Sequence, residues 1–395
     1  MIKLKFVLIC HFGLEKVLKQ EVRKLGLEIC DVTDGEVKVW GGISDIPRLN
    51  FNLRTCERVM IEINNFNAVT FEELFYNVKN SQIEDFVPVD GEFIITKANQ
   101  DKNSILHSST SIQSITKKAM VERLKFKYKT NVLNENRGKY PFRVKFNKNN
   151  CSLRLDTTGD SLHKRGYRIK SGLAPIEETL AAALVKLVEF NNNKVLIDPF
   201  CGSGTIPIEA AMISMNMPPS IDRAFVSETW DVINPNMWSD ARDEAIKLIR
   251  KNDDKISLIK IFGFDIDSKM IEISKGNALR AGVSDNIHFE TCSIRNLIEN
   301  NTFKKIINTS TNENNDVIIL CNPPYGERLE DKNKVELIYR DLQYFYEKTN
   351  NINLHLITSY DRTEAILGKA TKNRKIYNGM IKTYLYSYLK NEQCK

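Results

Sequence analysis

Cysteine is sparse and unpaired in this 395-residue chain. Its eight cysteines lie at 10, 30, 56, 151, 201, 292, 321 and 394, and no two form a CxxC pair. Zinc sites usually need that pairing, so no metal is expected, and the thiols read as reduced ones in a cytoplasmic protein. No run of about 18 apolar residues occurs, which excludes a spanning helix. Met1 to Cys10 lacks a long apolar core and a small-residue cleavage site, so no signal peptide is expected. Repeats and low-complexity tracts are missing, although Asn191–Asn193 and the asparagines of 312–315 mark loops.

What is present is ordinary in bulk. A hydrophobic share of 42% and a charged share of 27% are globular values that exclude global disorder. At roughly 100–200 residues per domain the length predicts two or three domains. The charge is the informative quantity. The chain has 57 Lys and Arg against 50 Asp and Glu, a net +7, unevenly spread. Residues 1–170 hold 29 cations against 20 anions, and residues 171–395 hold 28 against 30. Within the first part, 101–170 alone holds 17 against 5. A basic block beside a neutral body points to a polyanion-binding module attached to something else; a solvated lysine face is the plainer alternative.

Hydrophobic periodicity divides the chain at the same place. Strands are expected at 3–10, 57–62, 92–97, 141–146 and 151–156, with a hairpin over 27–40 turning at Asp34-Gly35. Helices are expected over 13–25, 70–79 and 109–125, the last with Lys117, Lys118, Arg123 and Lys125 facing outward. This is mixed α+β. After Arg168, helices near 177–190, 205–215, 238–251, 268–281, 333–349 and 362–369 alternate with strands near 194–198, 259–265, 286–290, 316–320 and 353–358. Alternation of that kind predicts a parallel, doubly wound α/β sheet. Two closing strands, 374–378 and 382–389, leave no room for a helix between them and predict an antiparallel edge hairpin.

Two strand exits carry chemistry. The first parallel strand runs into Asp198-Pro199-Phe200-Cys201-Gly202-Ser203-Gly204-Thr205. Gly202 and Gly204 permit a tight turn and close approach of a ligand, and Thr205 can cap the next helix. Position 207 is Pro, so the GxGxxG dinucleotide fingerprint is absent, and no GK[ST] phosphate loop follows. The second strand ends in Asp265-Ile266-Asp267. Asp265 can accept from both hydroxyls of a ribose, while Asp267 is expected to cap a helix. The fourth strand runs into Asn322-Pro323-Pro324-Tyr325-Gly326. Two prolines stiffen the backbone and remove two N–H donors, leaving the Asn322 side-chain oxygen and the Pro323 carbonyl as fixed acceptors beside the flat face of Tyr325. That set suits a planar substrate bearing an amine. The plain readings are a glycine turn, a pair of caps and a stiff strand exit.

Taken together, these residues resemble a class I S-adenosylmethionine-dependent methyltransferase. Asp198 to Thr205 with Glu209 matches the methionine-binding loop, and Asn322 to Tyr325 matches the motif used on exocyclic base nitrogens. The runs Ser161-Leu162-His163-Lys164-Arg165-Gly166-Tyr167-Arg168 and Ala174 to Leu180 narrow the resemblance to THUMP-containing RNA methyltransferases. Among these it is most similar to the group making N2-methylguanosine in large-subunit ribosomal RNA. The resemblance implies a ferredoxin-like segment at 1–50, a THUMP RNA-binding domain at 51–160 and a Rossmann-like catalytic domain at 161–395. It implies S-adenosylmethionine as cofactor, held by Thr179, Asp198 to Thr205, Asp265, Ile266, Ser293 and Asn322. Ser293 stands where many relatives place an Asp toward the adenine. RNA is the implied partner of a chain favoured as a monomer. The expected RNA contacts are Lys117, Lys118, Arg123, Lys125, Lys127, Lys129, His163, Lys164, Arg165 and Arg168. The segment 216–236 resembles an insertion of this group and reads either as a wall of the substrate cleft or as packing. The rival substrates are a tRNA guanine or an adenine N6. A non-catalytic ribosome assembly factor is the rival of another class.

Overall fold

A computed structural model of the protein describes residues 3–169, 176–250, 260–312, 316–325, 332–350, 352–379 and 381–390. Gly326 and the 170–175 stretch, with Ala174 and Pro175 of the sequence motif, lie outside them. The chain forms two compact units. The first comprises Met1–Cys10, Leu18–Leu162 and Ser220–Lys247; the second comprises His11–Val17, His163–Pro219 and Leu248–Lys395.

The first unit is built on one seven-stranded sheet. Its elements are β1 (Leu4–Ile9), α1 (Glu15–Lys24), β2 (Glu28–Thr33), β3 (Glu36–Gly41), α2 (Asp45–Asn52), β4 (Arg58–Asn67), α3 (Phe71–Lys79), β5 (Gly91–Gln100), α4 (Ser109–Tyr128), β6 (Arg137–Asn147) and β7 (Asn150–Asp156). The strand order is β2-β3-β1-β4-β7-β6-β5. Only β5 and β6 pair in parallel; the other pairings are antiparallel. Because β1 pairs with β4, hydrogen bonding runs unbroken across residue 50. Local chemistry sets the helix starts. Thr70 and Glu73 make a reciprocal capping box at α3, and Ser108 accepts from the Ser111 N–H at α4. Helix α2 was not expected from the sequence. Pro47 sits in its first turn, where a missing N–H costs nothing.

From Ser220 on, the insertion belongs to this first unit. Trp230 is 1% exposed, stacks on Tyr140 at 5.1 Å and donates its indole N–H to the Lys139 carbonyl. Phe225 and Trp238 stack on each other and both meet Phe51 edge-on. Phe225, Trp230 and Ile233 of the segment are therefore core, which favours the packing alternative.

The second unit contains α5 (Glu178–Leu187), β8 (Lys194–Asp198), α6 (Thr205–Ser214), β9 (Ile261–Asp265), α8 (Ser268–Arg280), β10 (Ile287–Thr291), α9 (Asn301–Asn312), β11 (Asp316–Cys321), α10 (Lys332–Lys348), β12 (Ile352–Thr358), α11 (Thr363–Leu367), β13 (Lys372–Asn378) and β14 (Ile381–Leu389). Helix α7 (Pro235–Lys247) lies in the first unit's insertion. The sheet order is β10-β9-β8-β11-β12-β14-β13. The first five strands are parallel, and β14 runs antiparallel to both β12 and β13. This is the expected α/β fold with its edge hairpin. One apolar layer gathers Leu180, Leu184, Ile208, Leu196 and Ile318; the other gathers Ile197, Phe264, Ile319, Tyr339 and Phe345. Among the described residues no helix is long and apolar enough to cross a membrane.

Candidate active site

Strand order reverses between β8 and β11, and in open α/β sheets ligands bind outside the carboxyl ends of the strands at such a point. A cleft of about 700 Å³ opens there, within the size range of small-molecule sites. Its lining includes Asp198 to Ser203, Thr205, Asp265, Ile266, Ser293 and Asn322 to Tyr325. The separate motifs of the sequence therefore meet around one space.

The glycine loop is held by backbone geometry. Gly202 has φ +52° and Gly204 φ +85°, both in the left-handed region. A Cβ on Gly204 would stand 2.9 Å from the Ser274 Cβ and 3.1 Å from the Phe289 ring, so the loop presses closely on α8 and β10. The Gly204 N–H donates to the Cys201 carbonyl at 2.8 Å, and the Cys201 N–H to the Phe264 carbonyl at 2.9 Å. Gly204, not Thr205, is the N-cap of α6, and no side chain caps this helix. Thr205 is already helical, so it cannot occupy the flanking cap position. The uncapped first turn leaves backbone donors beside the cleft, where an anionic group fits.

Asp265 organises the second exit. Its Oδ2 accepts the Gly202 N–H and its Oδ1 the Asp267 N–H, each at 2.9 Å. The carboxylate thus ties β9 to the glycine loop while lining the cleft. Asp267 caps α8 by accepting from the Lys269 N–H. Ile266, 76% exposed, offers an apolar face at the cleft. Asp198 is 1% exposed and accepts the Phe200 N–H at 3.0 Å. Burial, with the Asp265 charge behind it, pushes its carboxyl well above the usual range. Burial likewise raises the thiols of Cys201 and Cys321, which are not poised as nucleophiles.

The third group follows β11. Pro323 is buried, Asn322 and Tyr325 are half-buried, and Pro324 is exposed. All four line the cleft. Ser293 lines it too, but its hydroxyl accepts the Asn296 N–H at 3.3 Å and so serves as a cap. One further wall was not expected from the sequence. Lys334, Val335, Ile338 and Asp341 of α10 face the same space, as do Ile176, Met270 and Ile294. The i, i+4, i+7 spacing of Lys334, Ile338 and Asp341 was the available signal, because it marks one helix face.

Other expected residues lie elsewhere. Thr179 is fully buried on α5 and does not line the cleft. Glu209 is also buried; its Oε1 accepts from the Tyr167 hydroxyl at 3.1 Å and lies 3.5 Å from the Arg165 Nε. Arg165, 5% exposed, and Arg168, bound to Glu178 at 2.7 Å, organise the protein's own interior. Glu178 has its carboxyl raised to about 7 by burial, against the opposing pull of Arg168. His163 stands 3.8 Å from Glu177, and Lys164 is exposed. On α4, Lys117 pairs with Glu135, and Arg123 and Lys127 both meet Glu84. Lys118 lies 5.9 Å from the Phe75 ring. Lys125 and Lys129 make no side-chain ion pair among the described residues.

A doubly wound sheet, a glycine loop tied to the Asp265 carboxylate and an Asn-Pro-Pro-Tyr strand exit at the same cleft are the features of a class I S-adenosylmethionine-dependent methyltransferase. The residues present fit that cofactor: the uncapped α6 turn suits its carboxylate, Asp265 its ribose and Ile266 its base. Residues 165–387 match the family model described as RMKL-like, methyltransferase domain, and the chain belongs to that family. Residues 5–60 match the RlmL ferredoxin-like domain. The chain is 40% identical over 379 residues to "Putative RNA methyltransferase YpsC" of Bacillus subtilis, covering 95% of this chain and 93% of that one. It is 30% identical to "Ribosomal RNA large subunit methyltransferase K/L" of Psychromonas ingrahamii, covering 95% of this chain. The chain spans about half, 49%, of that relative's length. Among solved structures it is similar to SMU.472, "a putative methyltransferase complexed with SAH", with a TM-score of 0.87, 35% identity and 98% of both chains covered.

Proposed function

We propose that this protein methylates RNA at the exocyclic N2 amine of a guanosine in 23S ribosomal RNA. The observation that carries this reading is the convergence of the Asn322–Tyr325 acceptors and the Asp198–Asp265 cofactor cradle on one cleft. The large-subunit relatives support ribosomal RNA as the substrate class. S-adenosylmethionine, when bound, supplies an electrophilic methyl carbon. The Asn322 side-chain oxygen and the Pro323 carbonyl accept from the amine and stabilise the positive charge that grows on its nitrogen. Tyr325 stacks against the base, which must leave its helix to enter the cleft. The amine loses its proton after transfer, so a strong base is not required. Residues 51–160 act as the THUMP domain and contact phosphates, which gives affinity rather than sequence readout.

Guanine is favoured over adenine by the α10 wall. Lys334 and Asp341 line the cleft without a hydrogen-bond or ion-pair partner among the described residues. A carboxylate accepts from guanine N1–H, and an ammonium donates to O6. Adenine presents an acceptor at N1 and no oxygen. Purified protein, methyl-labelled cofactor and large-subunit RNA from a strain lacking the protein test the reading. Label in N2-methylguanosine supports it; label in N6-methyladenosine, or none, refutes it.

A further inference from the structure

The unit that holds the cleft is close to neutral by sequence, yet its last hairpin is not. Residues 369–390 hold six Lys and Arg and no Asp or Glu. Strands β13 and β14 form this hairpin at the outer edge of the sheet. Their register pairs Tyr377 with Lys382, Lys375 with Tyr384 and Asn373 with Tyr386. Side chains alternate across a strand, so these six share one face. Ile376 and Leu385 point the other way and are buried. On the shared face lysines and aromatic rings interleave. The Lys375 Nζ lies 5.1 Å from the Tyr377 ring and 5.8 Å from that of Phe12, which meets Tyr377 edge-on. The Lys382 Nζ lies 5.2 Å from the Tyr384 ring. Lys375 and Lys382 are exposed, Tyr377, Tyr384 and Tyr386 half-buried, and Phe12 is 38% exposed.

Register also fixes where the face sits. Tyr384 is level with Thr358, the last residue of parallel strand β12. Lys382 and Tyr377 therefore extend past the carboxyl end of the parallel strands, the edge on which the cleft opens. At about 4.8 Å between strands, β14 and β13 stand roughly 10 and 15 Å from β11. Edge lysines alone can serve to block strand addition. That role does not require rings between them on a face beside the active cleft.

We infer that the β13–β14 hairpin is a second RNA contact, taking a single-stranded stretch that flanks the target nucleotide. Lysines meet its phosphates and the tyrosines stack its bases, the combination by which proteins hold single strands. This inference rests on the RNA-methyltransferase reading above. The test is equilibrium binding of the full chain to a single-stranded RNA between 50 and 200 mM salt. Lys375→Gln/Lys382→Gln should flatten the slope of log K against log salt by about 1.4, near 0.7 for each lost phosphate contact. Tyr384→Ala should weaken binding about tenfold, and Tyr384→Phe should restore it. Titration with S-adenosylhomocysteine should give the wild-type affinity for every variant, which separates RNA contact from loss of fold. A wild-type slope in the lysine variant, or equal binding by Tyr384→Ala, overturns the inference. Failure of the wild-type chain to bind RNA at all would instead sink the reading beneath it.

Discussion

Asp265→Asn is a nearly isosteric change with a defined cost. Both carboxylate oxygens of Asp265 accept a backbone N–H, from Gly202 and from Asp267. An asparagine has one oxygen and one NH2, so whichever way it turns, a donor faces a donor. One hydrogen bond to a charged acceptor is lost, worth about 1.5–3 kcal/mol. The Gly202 bond holds the loop proposed to contact the cofactor, so the loss reduces the binding-competent fraction. The neutral amide is also the poorer acceptor for a ribose hydroxyl. Cofactor affinity should therefore fall roughly 10- to 100-fold, read by calorimetric titration with S-adenosylhomocysteine. An Asn variant that binds within twofold of wild type would show that Asp265 neither braces the loop nor meets the ligand.

The other expected outcomes concern chemistry, packing, pH and charge. Asn322→Ala should lose about 10²-fold in turnover at saturating cofactor, as for one missing transition-state acceptor; wild-type single-turnover rates contradict the role. Arg165→Met should destabilise the protein by about 3–5 kcal/mol in urea unfolding, because the fully buried Glu209 loses its cationic partner. The double variant with Glu209→Leu should recover part of that, and no recovery would mean the two do not act as a pair. Glu178 keeps its proton to about pH 7 in the folded chain, above the ordinary 4.5. Its contribution to stability therefore declines as pH rises from 4.5 to 7, by on the order of 3 kcal/mol at about 1.4 per unit. Glu178→Gln should match wild type near pH 4.5 and exceed it at pH 8; an equal offset at both refutes the assignment. Lys125→Gln/Lys129→Gln should flatten the RNA salt slope, whereas Arg123→Gln should chiefly lower the melting temperature, since Arg123 is bound to Glu84.

The catalytic unit was legible because its signals are local. Each βα exit lies within a few residues of its strand, and β8, with Asp198 as its last residue, begins and ends where periodicity placed it. The α10 wall was not legible as site, because the spacing of Lys334, Ile338 and Asp341 marks one helix face but not that this face turns toward the cleft. Helix α9 was missed for its Asn- and Thr-rich composition, which has low helix propensity; its start is marked by Asn300, which accepts the Phe303 N–H. The first unit was harder. Its continuous sheet depends on β1 meeting β4, and its core on Trp230 reaching Tyr140 across 90 residues of chain. The basic helix α4 shows the limit of charge counting. Lys117, Arg123 and Lys127 look available in sequence but already have carboxylate partners in the fold.

Nucleoside mass spectrometry of ribosomal RNA and tRNA from cells lacking the protein reads out the modified nucleotide itself. One N2-methylguanosine should disappear from the large-subunit RNA and return with the wild-type gene but not with Asn322→Ala. An unchanged large-subunit profile, or a loss confined to tRNA, contradicts it.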